Sequence, residues 1–171
     1  FNGKDPKFKL TADVQKLNLQ KLKLTNENLA VIGKFNLNFS GNNIDDFLGT
    51  ARITEASLYR DSTRLSFDSL VVAAGYVEGV KTFSAKSNEF EAKLKGDFRV
   101  NDLDKTVKVF LHRYYPAYIG ATKFTSDTRF SFSLKTKNVE EYIKLLDKRF
   151  TGFNNSSVTG TVNLAENKLD L

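Results

Sequence analysis

The chain of 171 residues contains no cysteine, no methionine and no tryptophan, and it has only two prolines and one histidine. The absence of cysteine excludes disulfides, zinc–thiolate centres and cysteine nucleophiles. His112 is the only imidazole, so neither a multi-histidine metal site nor a serine hydrolase triad is predicted; no G-x-S-x-G motif surrounds any serine. No run of eighteen apolar residues is present, so no helical membrane span is expected.

Motifs for acid–base or phosphate chemistry are also weak. The carboxylate pairs Asp45-Asp46 and Glu140-Glu141 fall in the predicted first turns of helices, where acidic side chains stabilise free N–H groups. This role is favoured over a glycosidase pair. Gly75 and Gly79 lack the spacing and the lysine of a phosphate-binding loop. We therefore predict no catalytic residue, no metal site, no cofactor and no enzymatic activity.

The strongest positive signal is a strict alternation of apolar and polar residues over long segments. It occurs at 90–100, at 29–39 and, more weakly, at 158–164. Alternation with period two predicts strands with one apolar and one polar face. A strand of eleven residues extends about 36 Å, so this apolar face is long.

The three alternating segments share a mid-strand glycine at Gly33, Gly96 and Gly160, with separations of 63 (33 to 96) and 64 (96 to 160). Repetition at a fixed spacing predicts a sheet of stacked repeats, with units at about 1–49, 50–111 and 112–171. Glycine weakens a strand interior, so its recurrence needs a bend, a bulge or a close approach. We predict that the three glycines line up at a crease where the sheet folds over.

Three short amphipathic helices are predicted between the strands, each from apolar residues at helical spacing. One is a single turn after Phe39. The second is capped by Asn101, and the third begins with Asn138 and Glu141 as a capping box. Their apolar positions are, in order, Ile44, Phe47 and Leu48; Leu103, Val107, Phe110 and Leu111; and Val139, Tyr142, Ile143 and Leu146. Such helices are too few to cover the sheet. The predicted fold is mainly β: a curled antiparallel sheet resembling a taco or clam.

Charge and aromatic content limit the binding partners. The formal charge is +6, and lysines such as Lys93 and Lys95 alternate along strands. This is typical of solvent faces and protected edges, with attraction to anionic headgroups as the second interpretation. Nucleic-acid binding is disfavoured because aromatics and lysines mostly occupy opposite strand faces. Fifteen phenylalanines without tryptophan indicate an apolar surface that is buried or meets hydrocarbon.

Because soluble monomers rarely expose large apolar patches, the apolar face must be filled or must line a groove. The few short helices favour a sheet that curls and leaves a lined groove, with the phenylalanines inside. Its expected lining is Phe35, Leu37, Phe39, Leu94, Phe98, Val100, Phe130, Phe132 and Leu134.

Two alternatives remain open. One is an assembly scaffold with a filled interior and edges that pair with a client strand. The other is an extracytoplasmic β-sandwich that binds glycans through Tyr114, Tyr115 and Tyr118. For these tyrosines, packing beside Pro116 is the favoured interpretation.

The chain resembles the AsmA-like superfamily, and most closely its TamB-type members. The resemblance lies in the segments 39–50 (FSGNNIDDFLGT), 58–61 (LYRD), 65–70, 87–98 (SNEFEAKLKGDF), 134–146 and 157–164. It is a pattern of turns and spacings over the whole chain. The chain begins at Phe1 and contains no methionine, so we expect a piece of a longer protein.

The resemblance implies a periplasmic rod of stacked, taco-shaped sheet with an apolar groove. It implies a parent protein anchored in the inner membrane, with roles in phospholipid movement and outer-membrane protein assembly. The expected partners are phospholipids or other acyl chains, together with an outer-membrane barrel protein contacted by other parts of the parent chain.

Overall fold

The computed structural model describes residues 7–18, 20–21, 28–43, 45–60, 63–142 and 152–171. A 3₁₀ turn, Val100–Asp102, leads into helix α1, Leu103–Tyr114, and a further helical turn begins at 140–142. The strands are β1 (Lys7–Asn18), β2 (Leu29–Ser40), β3 (Leu48–Arg60), β4 (Thr63–Val77), β5 (Val80–Ser87), β6 (Phe90–Asp97), β7 (Arg129–Thr136), β8 (Ser157–Asn163) and β9 (Lys168–Asp170).

All nine strands form one sheet in chain order, and each pair of neighbours is antiparallel. The predicted mainly-β fold with an antiparallel sheet is confirmed. The described strands belong to one sheet, so two separate sheets are not found among them. Several links are short, such as 78–79 and 88–89, whereas 98–128 and 137–156 are long. Those two long links carry the helical segments.

The strand register gathers apolar residues into rows that run across the sheet, perpendicular to the strands. Because side chains alternate between faces, residues paired in register share a face. The first apolar row is Phe8, Phe39, Gly49, Ala74, Phe83, Leu94, Phe132 and Gly160. The second apolar row, two residues further along each strand, is Leu10, Leu37, Ala51, Val72, Ala85, Ala92, Leu134 and Val158.

The main core lies between α1 and the β6–β8 part of the sheet. Its buried members are Phe98, Phe110, Phe130, Val162 and Leu164. Phenylalanine rings supply most of this buried area: Phe98 and Phe130 meet edge to face with centroids 5.9 Å apart. One end of the apolar face is therefore covered by a helix.

Helix α1 exists where the sequence predicts it, but its buried stripe is shifted. Thr106 is 1% exposed and Phe110 is 4% exposed, whereas the predicted stripe residues Val107 and Leu111 are 52% and 38% exposed. A buried threonine is tolerated because its hydroxyl donates to the Asp102 carbonyl oxygen at 2.9 Å. The prediction was wrong at these two positions because it considered only apolar residues.

Helix α1 ends just before Pro116, and the tyrosines that follow it do not pack as predicted. The Tyr115 N–H donates to the Leu111 carbonyl oxygen at 2.8 Å, and Pro116 follows. Tyr115 and Tyr118 are 58% and 86% exposed, so their predicted packing beside Pro116 is wrong. The side chain of Tyr114 lies outside the described residues.

The other two predicted helices have different outcomes. Residues 45–46 form a turn and β3 begins at Leu48, so the predicted helical turn after Phe39 is wrong; Ile44 lies outside the described residues. Near 140–142, Val139 is 3% exposed and the Tyr142 ring lies 4.9 Å from the Phe67 ring. The rest of the third predicted helix, including Ile143 and Leu146, is outside the described residues.

Equal spacing in the sequence does not produce equal units in the fold. The three glycine-containing strands are β2, β6 and β8, so the first two are four strands apart and the last two are two apart. The expected divisions at 49/50 and 111/112 fall inside β3 and inside α1. The strands before and after these two positions belong to the same sheet, in unbroken chain order.

The three glycines do not line up as predicted, because they lie in different rows of the sheet and so cannot share one crease. Gly160 lies in the first apolar row. Gly96 lies in the next row on one side of it, opposite Phe130. Gly33 lies three rows from the first apolar row on the other side, opposite Val14. Close approach of a neighbouring strand explains Gly96. With φ at +138°, a Cβ atom there would lie 2.7 Å from the Phe130 Cα atom.

Candidate functional site

The apolar face is open across β1–β5. In this part of the two apolar rows no side chain is fully buried: Phe8 and Leu10 are 46% and 51% exposed, and the remaining members are half-buried. The predicted groove residues Phe35, Leu37 and Phe39 all belong to this region and face the same side. We call this region, the two apolar rows over β1–β5 together with Phe35, the open surface.

The shape of the open surface follows from the sizes of its side chains. Gly49 and Ala51 on β3 and Ala74 on β4 occupy its middle strands, together with the larger Val72. Large side chains stand at both sides, with Phe8, Leu10, Leu37 and Phe39 on β1–β2 and, on β5, Phe83, which also packs against the covered core. Small residues between large ones form a shallow channel with an apolar floor.

One margin of the open surface carries an aromatic cluster. The rings of Phe8 and Phe39 stack with centroids 5.1 Å apart, and Phe47 lies 5.0 Å from Phe39. Together with Gly41, Asn42 and Asn43 they line a cleft of about 380 Å³. Phe8 and Phe47 were not among the predicted groove residues. The alternation of Phe8 with Leu10 on β1 was the signal that could have identified the first.

The structure separates the remaining predicted groove residues from the open surface. Phe98 and Phe130 are 5% and 6% exposed, so they are core residues beneath α1 and do not line the open surface. Leu94, Val100 and Phe132 pack against that core, and Leu134 is half-buried beside them. Strand parity alone cannot distinguish these residues from Leu37 and Phe39, because parity does not specify which part of a face is covered.

The open surface and the covered core meet at Asp45, in the link between β2 and β3. Its side chain is 8% exposed and accepts hydrogen bonds from the Asn101 backbone N–H at 3.2 Å and from Asn101 Nδ2 at 2.9 Å. Arg99 Nε lies 3.6 Å away. Asp45 thus caps the 3₁₀ turn that precedes α1. The predicted role of Asp45 at a helix end is found, but the helix belongs to another part of the chain.

Burial by itself would raise the pKa of the Asp45 carboxyl group. Hydrogen bonds from the Asn101 and Val100 backbone N–H groups and from the Asn101 side chain, with the nearby Arg99 charge, outweigh burial and hold that pKa below its ordinary value. Asp45 is therefore charged at neutral pH and binds a partially positive helix terminus.

Lys81 completes this junction from the sheet. It lies on the apolar face, two residues from Phe83, and its Nζ donates to the carbonyl oxygens of Asp45 at 2.8 Å and Phe98 at 3.3 Å. The ammonium group also lies 5.0 Å from the centre of the Phe98 ring. A lysine is tolerated on this face because its donors are used by the two segments that cross it.

A cleft on the polar face is lined by side chains of both charges. This cleft, about 400 Å³, contains Lys95, Arg129 and Lys168 as well as Asp97, Glu166 and Asp170. Opposite charges at close range compensate one another, so this cleft is not an anion site. The His112 side chain has a structural role, because its Nδ1 atom lies 2.5 Å from the Ile119 carbonyl oxygen and hydrogen-bonds with it.

Within the described ranges, no group of three or more histidine, aspartate or glutamate side chains is placed to hold a metal ion. Among the helices that the structure describes, none combines the length and apolar character needed to cross a membrane. No protein-family model, curated protein or solved structure matches this chain. The resemblance to AsmA-like proteins therefore stays a prediction.

Proposed function

We propose that this chain is a non-enzymatic segment of a periplasmic phospholipid conduit that serves outer-membrane biogenesis, within a parent protein anchored in the inner membrane. The observation that carries the proposal is the open surface itself. Two adjacent rows of apolar side chains cross five strands, and every member remains partly accessible. An uncovered apolar surface of this extent is typical of a binding site.

The dimensions of the open surface suit an acyl chain. Five strands at a spacing of about 4.8 Å give rows about 19 Å long. Half of a membrane's hydrocarbon core is about 15 Å thick, so one acyl chain fits along a row. Burial stabilises such a chain by about 0.8 kcal/mol per CH₂ group. Since the rows contain only apolar side chains over β1–β5, successive positions are similar, which favours sliding over release into water.

The test exploits the two faces of β2. Leu37 points to the open surface between Leu10 and Ala51, whereas its neighbour Asn38 is exposed on the polar face between Lys9 and Thr50. We expect the chain, secreted into the periplasm of a Gram-negative host, to copurify with phospholipid detectable by mass spectrometry. Leu37→Asp should remove most of that lipid, because a charged group cannot be buried against hydrocarbon.

Asn38→Asp is the matched control, since it introduces the same charge one residue away and should retain the lipid. The proposal fails if the unmodified chain carries no phospholipid, or if both variants lose it equally while remaining folded by circular dichroism.

A second candidate function is an assembly scaffold, which is favoured by the position of β1. In the part of the chain that the structure describes, β1 is the edge of the sheet and pairs only with β2. A free edge of twelve residues is a template for strand addition, for example by an outer-membrane barrel protein. Single prolines across 7–13 should then impair assembly by the full-length parent and leave copurifying lipid unchanged. Loss of lipid without any assembly defect would contradict the scaffold.

A further inference from the structure

The apolar rows do not stop where α1 begins to cover the sheet. The first apolar row continues through Leu94 and Phe132, and the next row carries Phe130 and Val162. All four are sheet residues of the same face as Phe39. The covered core is therefore the continuation of the open surface, and α1 and its flanking residues are what separates the two.

Few side chains of α1 hold it against the sheet. Among the α1 side chains that the structure describes, Thr106 and Phe110 are buried, with Leu103 and Val109 half-buried against the core. The opposite side carries Asp104, Lys105 and Lys108, with ion pairs between Lys108 and Asp104 and between Lys105 and Asp102. This amphipathic surface is compatible with water whether or not the helix lies on the sheet.

Polar contacts fix each end of α1 to the sheet. At the amino end, the Asp45 carboxylate binds Asn101 and Arg99, while Lys81 binds the carbonyl oxygens of Asp45 and Phe98. At the carboxyl end, Arg113 Nη1 donates to the Asn167 carbonyl oxygen at 3.1 Å. The amino-end contacts are more numerous and include a nearly buried charge.

We propose that α1 is a lid held closed by Asp45, and that its opening extends the acyl-chain site from the open surface onto Phe130, Phe132 and Val162. This inference rests on the proposed function and adds its regulation. An acyl chain would replace Phe110 against the sheet, so bound lipid stabilises the open state through contacts that the closed state lacks. Asp45 is the switch point because it joins the link between β2 and β3 to the start of α1.

The test uses a phosphatidylethanolamine with a photoreactive diazirine near the end of one acyl chain, followed by peptide mapping. In the unmodified chain we expect labels mainly in 29–40, on the open surface. Asp45→Ala removes the carboxylate and with it the charged hydrogen bonds that favour the closed position of α1. Labelling of 129–136 should therefore increase about tenfold. Asp46→Ala is the matched control: Asp46 is an exposed neighbour, and its side chain bonds Asn43.

A second variant keeps the test independent of the stability of Asp45→Ala. The chain has no cysteine, so Asp45→Cys with Asn101→Cys supplies a unique pair for a short, cleavable thiol cross-linker. The cross-linked form should show no label in 129–136, and cleavage should restore it. Labelling of 129–136 that is equal before and after cleavage, with 29–40 labelled throughout, overturns the lid alone. Absence of label in 29–40 in every form overturns the proposed function.

Discussion

The two halves of the sheet share one alternation pattern but differ in what lies on the apolar face. Over β1–β5 the apolar rows are accessible, and Phe39 stacks on Phe8 at a margin. Over β6–β8 the row that carries Phe130 and Val162 is buried beneath Phe110, and Leu94 and Phe132 pack against that core. In the second apolar row, by contrast, Val158 on β8 is 41% exposed. The difference arises from the links. The 98–128 link is long enough to cross the face, whereas the link at 78–79 is a two-residue turn. The lengths of the links between strands therefore determine which part of the apolar face is covered.

The largest expected effect compares one phenylalanine from each half. Phe110→Ala should lower the free energy of unfolding by about 3–5 kcal/mol, because it leaves a cavity in the covered core. Phe39→Ala should cost only about 1 kcal/mol, since Phe39 is half-buried and water already reaches it. Urea unfolding followed by circular dichroism measures both. Equal losses would show that the open half is as tightly packed as the covered half.

A pair of glycines gives the next effect. Gly96→Ala should destabilise the chain by about 1–3 kcal/mol, because φ is +138° and the new Cβ would press on the backbone of β7. Gly75, on β4, has no heavy atom within 4 Å of an added Cβ, so Gly75→Ala should be neutral or stabilise by up to about 1 kcal/mol. Thermal unfolding of the two variants distinguishes the cases. A harmless Gly96→Ala would remove close strand approach as the explanation of this glycine.

The junction between the halves predicts a pH-dependent effect. The pKa of Asp45 is lowered in the folded chain, so its stabilising contribution is complete above the unfolded value of about 3.9 and is lost as pH falls through the folded pKa. Arg99 and Lys81 face this group, and Asp102 shares the Arg99 side chain. Asp45→Asn should cost about 1–3 kcal/mol at pH 7.

The same substitution should cost progressively less as pH falls below 4, when the native carboxylate becomes protonated. Urea midpoints of both proteins from pH 7 to pH 3 provide the measurement. A constant difference across this range would mean that the charge of Asp45 plays no part in holding the junction.

The sequence predicted the sheet, its antiparallel pairing and the face to which Leu37, Phe39, Phe98 and Phe130 belong, because alternation fixes these properties locally. It could not predict that only two of those four residues are buried, since coverage depends on contacts between distant segments. Asp45 and Asn101 are 56 residues apart in the chain, and their contact produces no periodic pattern in the sequence. Thr106 was missed because a buried hydroxyl is compatible with a core only when a backbone carbonyl accepts its hydrogen bond.

The glycine repeat shows how regular spacing can mislead. Gly33, Gly96 and Gly160 recur at separations of 63 and 64 residues, yet the intervening chain forms different numbers of strands. Between Gly96 and Gly160, the long links consume residues that form strands between Gly33 and Gly96. A repeat in sequence therefore fixed the strand type without fixing its place in the sheet.

Single cysteines placed in the otherwise cysteine-free chain test the central contrast most directly, through the rate at which each reacts with a maleimide. Leu37→Cys should react quickly, and phosphatidylethanolamine should slow its reaction. Asn38→Cys should react quickly at the same rate with and without the lipid. Phe130→Cys should react slowly. Slow reaction at position 37 without lipid, or no protection there by lipid, would contradict an open apolar surface that binds acyl chains.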